Sequence, residues 1–221
     1  MKPRAVLLDL DGTLADTAPD FSLAINALRT EHGLGELPLD EVRRHCSWGG
    51  ARLTRLALNL DEPDPERTAE LLDHYARFNG RQARLFPSAE RWIEACRRSG
   101  IAWGIVTNKP RRFGEPLIEA LLGERTPLCI YPEDVETAKP APDMLLLAAE
   151  RLDLSPQQCC YVGDHSRDFA SAQAAGIAFI RAEWGYIDCD DEWPEAALAR
   201  RADDLMHTLS IAAQLTGEQA A

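Results

Sequence analysis

The chain has 221 residues, with 24 Lys and Arg against 36 Asp and Glu, and so a formal net charge of −12. An acidic surface of this kind repels phosphate backbones and anionic headgroups, so neither nucleic acid nor a membrane surface is an expected partner. No run of roughly 18 apolar residues is present to span a bilayer. The apolar stretch after the basic residues 1–4 stops at Asp9, too short for a secretory signal, so the expected location is the cytoplasm.

Ala5-Val6-Leu7-Leu8 is a short apolar run that ends in Asp9-Leu10-Asp11-Gly12. It reads as a buried parallel strand, because such strands are apolar on both faces. From residue 20 to about residue 80 no strand pattern appears. Phe21, Ala24, Ile25 and Leu28 share one helical face, as do Leu53, Leu56, Ala57 and Leu60. Leu71, Leu72, Tyr75 and Phe78 repeat the spacing after the Pro63-Asp64-Pro65 break. These residues predict an all-helical insertion, 16–84, hinged near Asp16 and near residues 84–87.

In the remainder, 1–15 plus 85–221, apolar runs at 101–106, 128–130, 159–162 and 177–180 read as strands. Helical spacing covers 90–98, 116–122, 143–152 and 167–175, the last closing at Gly176. Alternation of this kind implies βαβ units. The expected fold is α/β, a Rossmann-like doubly wound parallel sheet with an inserted all-helical cap domain. The six cysteines show neither C-x-x-C pairs nor metal-ligand spacing and are expected to be reduced and mostly buried. The adjacent Cys159 and Cys160 should face opposite sides of their strand. His32, His45, His74 and His207 show no ligand spacing and are expected in solvent, as is the acidic run 188–192.

The polar residues that interrupt this pattern gather where buried strands end: Asp9 and Asp11, Thr107 and Asn108, and Asp164. Ligands of open parallel sheets bind beyond the carboxyl ends of the strands, so these residues should meet on one rim. Asp168 lies one helical turn after Asp164 and can point back to it. Carboxylates so close repel one another. A divalent cation removes the conflict, and a few hard oxygen ligands with retained waters suit Mg²⁺. Lys139 precedes Pro140, which holds it out of helical conformation and so on a loop, where it supplies a point positive charge. With Thr107 and Asn108 as neutral donors, the group forms an electrostatic cradle for a transferring phosphoryl group. Asn108 either touches phosphate or closes the turn. Lys109 is expected to face solvent.

Four strings now resemble, in order, the motifs of the haloacid-dehalogenase-like hydrolases. They are the nine residues Asp9 to Thr17, Val106-Thr-Asn-Lys109, Lys139-Pro140 and Gly163-Asp-His-Ser-Arg-Asp168. The resemblance implies that Asp9 is a nucleophile forming an aspartyl-phosphate. It implies that Asp11 protonates the leaving oxygen and then activates water. It further implies that Thr107 and Lys139 hold phosphoryl oxygens, and that Asp9, the Asp11 carbonyl and Asp164 bind Mg²⁺ with Asp168 in support. An acid two residues after the nucleophile places the resemblance on the phosphatase branch. His165, following the metal aspartate where smaller residues are frequent, is expected at the rim.

Around this core, Asp16 and Thr17 are read as helix-capping or hinge residues. Arg43, Arg44 and the string from Cys46 through Trp48, Gly49 and Gly50 to Arg52 are placed between two cap helices. They form either an ordinary turn or a loop that dips into the site to read the substrate, glycine allowing close backbone approach. Residues 16–21 and 103–116 are similar to capped phosphoglycolate phosphatases, and to their subgroup acting on N-acetylmuramic acid 6-phosphate. The resemblance thus implies a small phosphorylated metabolite as substrate. A phosphosugar mutase and a non-catalytic phosphate binder of the same fold are the alternatives. The sequence carries no sign of oligomeric state.

Overall fold

In the computed structural model the described residues are 3–123, 127–187 and 192–194. Cys189, His207 and residues 188–191 of the acidic run lie outside them.

Five short strands form one sheet in the order β5-β4-β1-β6-β7, every pairing parallel. They are β1 (Ala5–Leu8), β4 (Ala102–Val106), β5 (Leu128–Ile130), β6 (Cys159–Gly163) and β7 (Ala178–Arg181). All four residues of β1 are buried, as an apolar run with no polar alternation demands of a central parallel strand. Val6, Leu8, Cys160 and Val162 point to the face covered by α5 (Pro87–Arg98) and α6 (Arg111–Leu122). Ala5, Leu7, Cys159 and Tyr161 point to the face covered by α7 (Asp143–Arg151) and α8 (Ser166–Ala175). The period of two therefore sends the adjacent cysteines into different cores. The described cysteines are free thiols.

A third apolar cluster is built by α1 (Ala18–Glu31), α2 (Leu39–His45), α3 (Gly50–Leu58) and α4 (Pro65–Phe78). Phe21, Ala24, Ile25 and Leu28 of α1 meet Leu53 and Ala57 of α3 and Leu71 and Tyr75 of α4, with Phe113 and Tyr186 joining from the α/β layer. No helix among the described residues is long and apolar enough to cross a membrane.

Several elements differ from expectation for identifiable reasons. A two-stranded antiparallel ribbon, β2 (Ala15–Asp16) with β3 (Arg84–Leu85), stands at the two points read as hinges. Two residues per strand are too few to show a period. Helix α6 begins at Arg111 and carries Pro116 inside it. The carbonyl four residues earlier forfeits its bond, but Phe113 and Leu117, on either side of the proline, are both buried and hold the helix together. Arg43 and Arg44 belong to α2, so the interhelical loop proper is the 3₁₀ turn Cys46–Trp48 with Gly49. His74 is buried and lies 3.2 Å from Glu31, rather than in solvent.

Within the helical layer, one aspartate ties the start of α1 to the chain leaving α4. Asp20 is fully buried, and its two oxygens accept from the backbone N–H groups of Gly80 and Gln82, each at 2.7 Å. Truncating it orphans two amides and removes a charged acceptor. Asp20→Ala is expected to lower unfolding stability by about 3 kcal/mol, read as a shifted midpoint in urea. An unchanged midpoint would mean that those amides are satisfied without it.

Candidate active site

Leu8, Ile105 and Val162 lie side by side in the sheet register. The residues that follow them therefore emerge together: Asp9 after β1, Thr107 after β4, and Asp164 after β6. Asp9 and Thr107 line a cavity of about 340 Å³, whose wall also includes Asp11, Asn108, Lys139 and Asp168 but not Asp164.

Asp9 accepts from the Leu10 N–H at 2.7 Å and pairs with the Lys139 ammonium at 3.0 Å, both through Oδ1. Asp168 holds α8 in place with one oxygen and the site with the other. Its Oδ2 accepts from the His165 N–H at 3.1 Å, and its Oδ1 receives Lys139 Nζ at 2.7 Å. Asp164 is locked by the Thr13 hydroxyl on Oδ1 at 2.8 Å, and by the Ser47 hydroxyl and Tyr186 N–H on Oδ2 at 2.8 and 3.1 Å. Ligand oxygens of Asp9, Asp164 and Asp168 lie within 4.8 Å of one another.

Burial dominates the electrostatics of this group. It raises Asp9 to about 6, with Asp168 adding and Lys139 opposing. It raises Asp164 to about 8, with Asp168 and Asp9 adding and the Thr13 and Ser47 bonds opposing. For Lys139 burial acts against the charge, but Asp168 and Asp9 outweigh it and the pKa rises. Three acids thus gather around one ammonium that pairs with only Asp9 and Asp168, an excess of negative charge that a divalent cation fits. The donors are hard oxygens, the kind that suit Mg²⁺ rather than a thiophilic metal. The main chain is shaped around them. Gly12 has φ of 79°, and a Cβ there would sit 2.1 Å from Asp164 Oδ2. Glycine is needed both for the left-handed conformation and for the approach.

Asp11 stands apart. Its carboxylate is not in the three-acid group. It accepts from the Thr17 hydroxyl at 2.5 Å and pairs with Lys109 Nζ at 2.9 and 3.2 Å. Lys109 is accordingly buried, its side chain 3 % exposed, and does not face solvent. Thr17 precedes α1 but makes no side-chain cap; the first N–H groups there donate instead to the Tyr186 hydroxyl at 2.6 and 2.8 Å. That hydroxyl donates to Asp16, which also pairs with Arg43 at 2.9 Å.

Thr107 is buried, and its hydroxyl accepts from the Lys109 N–H at 3.1 Å. The Asn108 side chain closes the turn, donating to the Lys139 carbonyl at 2.8 Å and accepting from the Lys139 N–H at 3.2 Å. From the helical layer, Gly49 and Gly50 reach the cavity wall beside Cys46 and Ser47. Arg43, Trp48 and Arg52 do not form that wall. Arg43 serves Asp16, while Arg52 stacks over Trp48 at 4.6 Å. Trp48 packs edge-on to His165, which is buried as the N-cap of α8 and lines the cavity at the rim, as expected.

Tyr161 and Tyr186 were not singled out by sequence reasoning, and Thr13 and Ser47 only as members of the strings Asp9 to Thr17 and Cys46 to Arg52, with no role of their own. Tyr161 had a readable signal: a hydroxyl on an otherwise apolar buried strand needs a partner. It finds Lys139 Nζ at 2.6 Å and the Val106 carbonyl at 2.8 Å. Ser47 had none, since its contact depends on how the helical layer is seated.

This arrangement agrees with what the chain resembles. The family model described as haloacid dehalogenase-like hydrolase matches residues 3–176. An N-acetylmuramic acid 6-phosphate phosphatase of Pseudomonas aeruginosa is 40% identical over 197 residues, covering 86% of each chain. A phosphoglycolate phosphatase of Xanthomonas campestris is 40% identical over 194 residues, covering 86% of this chain and 87% of that one. Among solved structures, a predicted phosphoglycolate phosphatase from Haemophilus somnus superposes with a TM-score of 0.77 at 24% identity, over 96% of this chain and 98% of that one. The rim of acids at the ends of a parallel sheet, and a family match across most of its length, establish that the chain belongs to the haloacid dehalogenase-like hydrolases.

Proposed function

We propose that the protein is a Mg²⁺-dependent cytoplasmic phosphatase that hydrolyses a small-metabolite phosphate monoester through an aspartyl-phosphate on Asp9. The observation that carries this reading is the placement of Asp9. It stands at the end of the central strand with Lys139 at 3.0 Å, grouped with the buried Asp164 and Asp168 and lining the cavity. The activities named for the relatives support it.

In the first step the Asp9 carboxylate attacks phosphorus, the ester P–O bond breaks, and Asp11 gives a proton to the departing alkoxide. In the second, a water attacks the phosphoryl group while Asp11 takes its proton. The bond to Asp9 breaks, and inorganic phosphate and the free carboxylate result. Thr107 and Lys139 hold the phosphoryl oxygens and offset their growing charge. Asp9, the Asp11 carbonyl and Asp164, supported by Asp168, would hold Mg²⁺, which supplies charge neutralisation at the phosphoryl group. Residues 16–84 act as the cap over residues 1–15 and 85–221, and exclude bulk water during transfer.

The substrate is 2-phosphoglycolate or N-acetylmuramic acid 6-phosphate. Beyond the acids the cavity wall turns apolar, with Phe21, Leu72, Tyr75 and Phe113. That wall suits the face of a sugar ring better than a two-carbon acid, which favours the second.

A panel of phosphate monoesters should release inorganic phosphate only with Mg²⁺ present, with kcat/KM higher for the sugar phosphate. Phosphate release near zero, with the phosphoryl group moved to another hydroxyl, would mean a mutase. Asp9→Asn is expected to lower turnover by roughly 10³-fold or more with an unchanged thermal midpoint; full activity in that variant would overturn the nucleophile. Gly12→Ala would press a methyl group to 2.1 Å from Asp164 Oδ2, and Mg²⁺ binding followed by calorimetry should be lost. Retained affinity would remove Asp164 from the metal site.

A further inference from the structure

Lys109 has no part in the steps above, yet it is among the most deeply enclosed cations of the protein. A buried ammonium is costly unless it is well paired, and each of its neighbours is specific. Its Nζ straddles both oxygens of Asp11, at 2.9 and 3.2 Å. On its other side it lies 4.9 Å from the Phe21 ring centre and 4.7 Å from that of Tyr75. Those two rings stack on each other at 4.0 Å, nearly parallel at 9°. Phe21 belongs to α1 and Tyr75 to α4, whereas Asp11 and Lys109 follow β1 and β4. Lys109 is thus the point at which an aromatic pair of the helical layer touches the counter-charge of Asp11.

The two acids of the Asp9–Asp11 motif are also served by different lysines. Lys139 takes Asp9 and Asp168, while Lys109 takes Asp11. With its own ammonium, and with the Thr17 hydroxyl at 2.5 Å on Oδ1, the Asp11 carboxylate is held away from the three-acid group. We propose that Lys109 is a positioning residue for Asp11: it fixes the orientation from which that carboxylate exchanges a proton, under the Phe21–Tyr75 pair that roofs it. The proposal rests on the acid–base reading of Asp11 given above.

The test is a double-mutant cycle on the Mg²⁺-supplemented full chain, using the best substrate of the monoester panel and measuring kcat and KM separately. Lys109→Met should lower kcat by about 10- to 100-fold, a part of the range spanned by acid–base catalysis, with KM within about twofold of the parent value. Lys109→Arg should recover most of that loss, because the charge returns. In an Asp11→Asn background, Lys109→Met should cost no more than about twofold, since residues acting through one another are not additive. The double variant also leaves no buried charge alone, and thermal melting of each protein separates folding from turnover. Equal fold-losses in both backgrounds, or a loss seen only in KM, would overturn the proposal and make Lys109 an independent substrate contact. Undiminished kcat in Asp11→Asn alone would instead sink the acid–base reading, and the proposal with it.

Discussion

Three carboxylates gathered within 4.8 Å, two of them paired with one buried ammonium, form the constraint on which the rest of the structure depends. Asp9, Asp164 and Asp168 are brought together because β1 and β6 are neighbours in register and α8 follows β6 at once. Each would be unfavourable there alone. Lys139 relieves part of the strain, reaching Asp9, Asp168, Tyr161 and the Val106 carbonyl from a single Nζ. Gly12 lets the chain pass over Asp164, and Gly163 lets it pass beside Asp168. Much of what looks like local sequence preference at this rim is accommodation of that charge.

A second tier of contacts joins the helical layer to the same group. Ser47 donates to Asp164, and the Arg167 guanidinium donates to the Ser47 carbonyl. Tyr186 reaches Asp16 and the start of α1 with its hydroxyl and Asp164 with its N–H. The seating of the helical layer and the geometry of the acid group are therefore not separable parts. A shift in α1 or in the turn Cys46–Trp48 is felt at Asp11 or at Asp164 through one hydrogen bond.

The net charge of −12 takes on a local meaning in this setting. It disfavours nucleic acid and gives no general attraction for a phosphorylated metabolite. An anionic substrate has to be held by a reversal of sign confined to the cavity. The buried Lys139 begins that reversal, and under the proposed reading a cation held by the three acids completes it, while acidic side chains elsewhere keep the surface hydrated.

How much of this was legible in the chain can be stated residue by residue. The five parallel strands could be read, because an apolar run without alternation fits only a strand covered on both faces. Asp9, Thr107 and Asp164 could be read because polar residues at the ends of such runs must meet on one edge, Asp168 because it lies one helical turn beyond Asp164, and Lys139 because Pro140 holds it on a loop. The ribbon β2–β3 could not, having no period to show. Lys109 was misread as a surface charge because its aromatic roof comes from two helices distant in sequence.

The sequence by itself determined the layer order and the residues on the rim, since both follow from periodicity and strand ends, which are local. Tertiary structure alone decided which partner each charge takes: Asp11 with Lys109, Asp164 with Ser47 and Thr13, and Arg43 with Asp16. The physical reason is that ion pairs and hydrogen bonds act over about 3 Å, a distance set by how packed layers are seated and not by the spacing of residues along the chain.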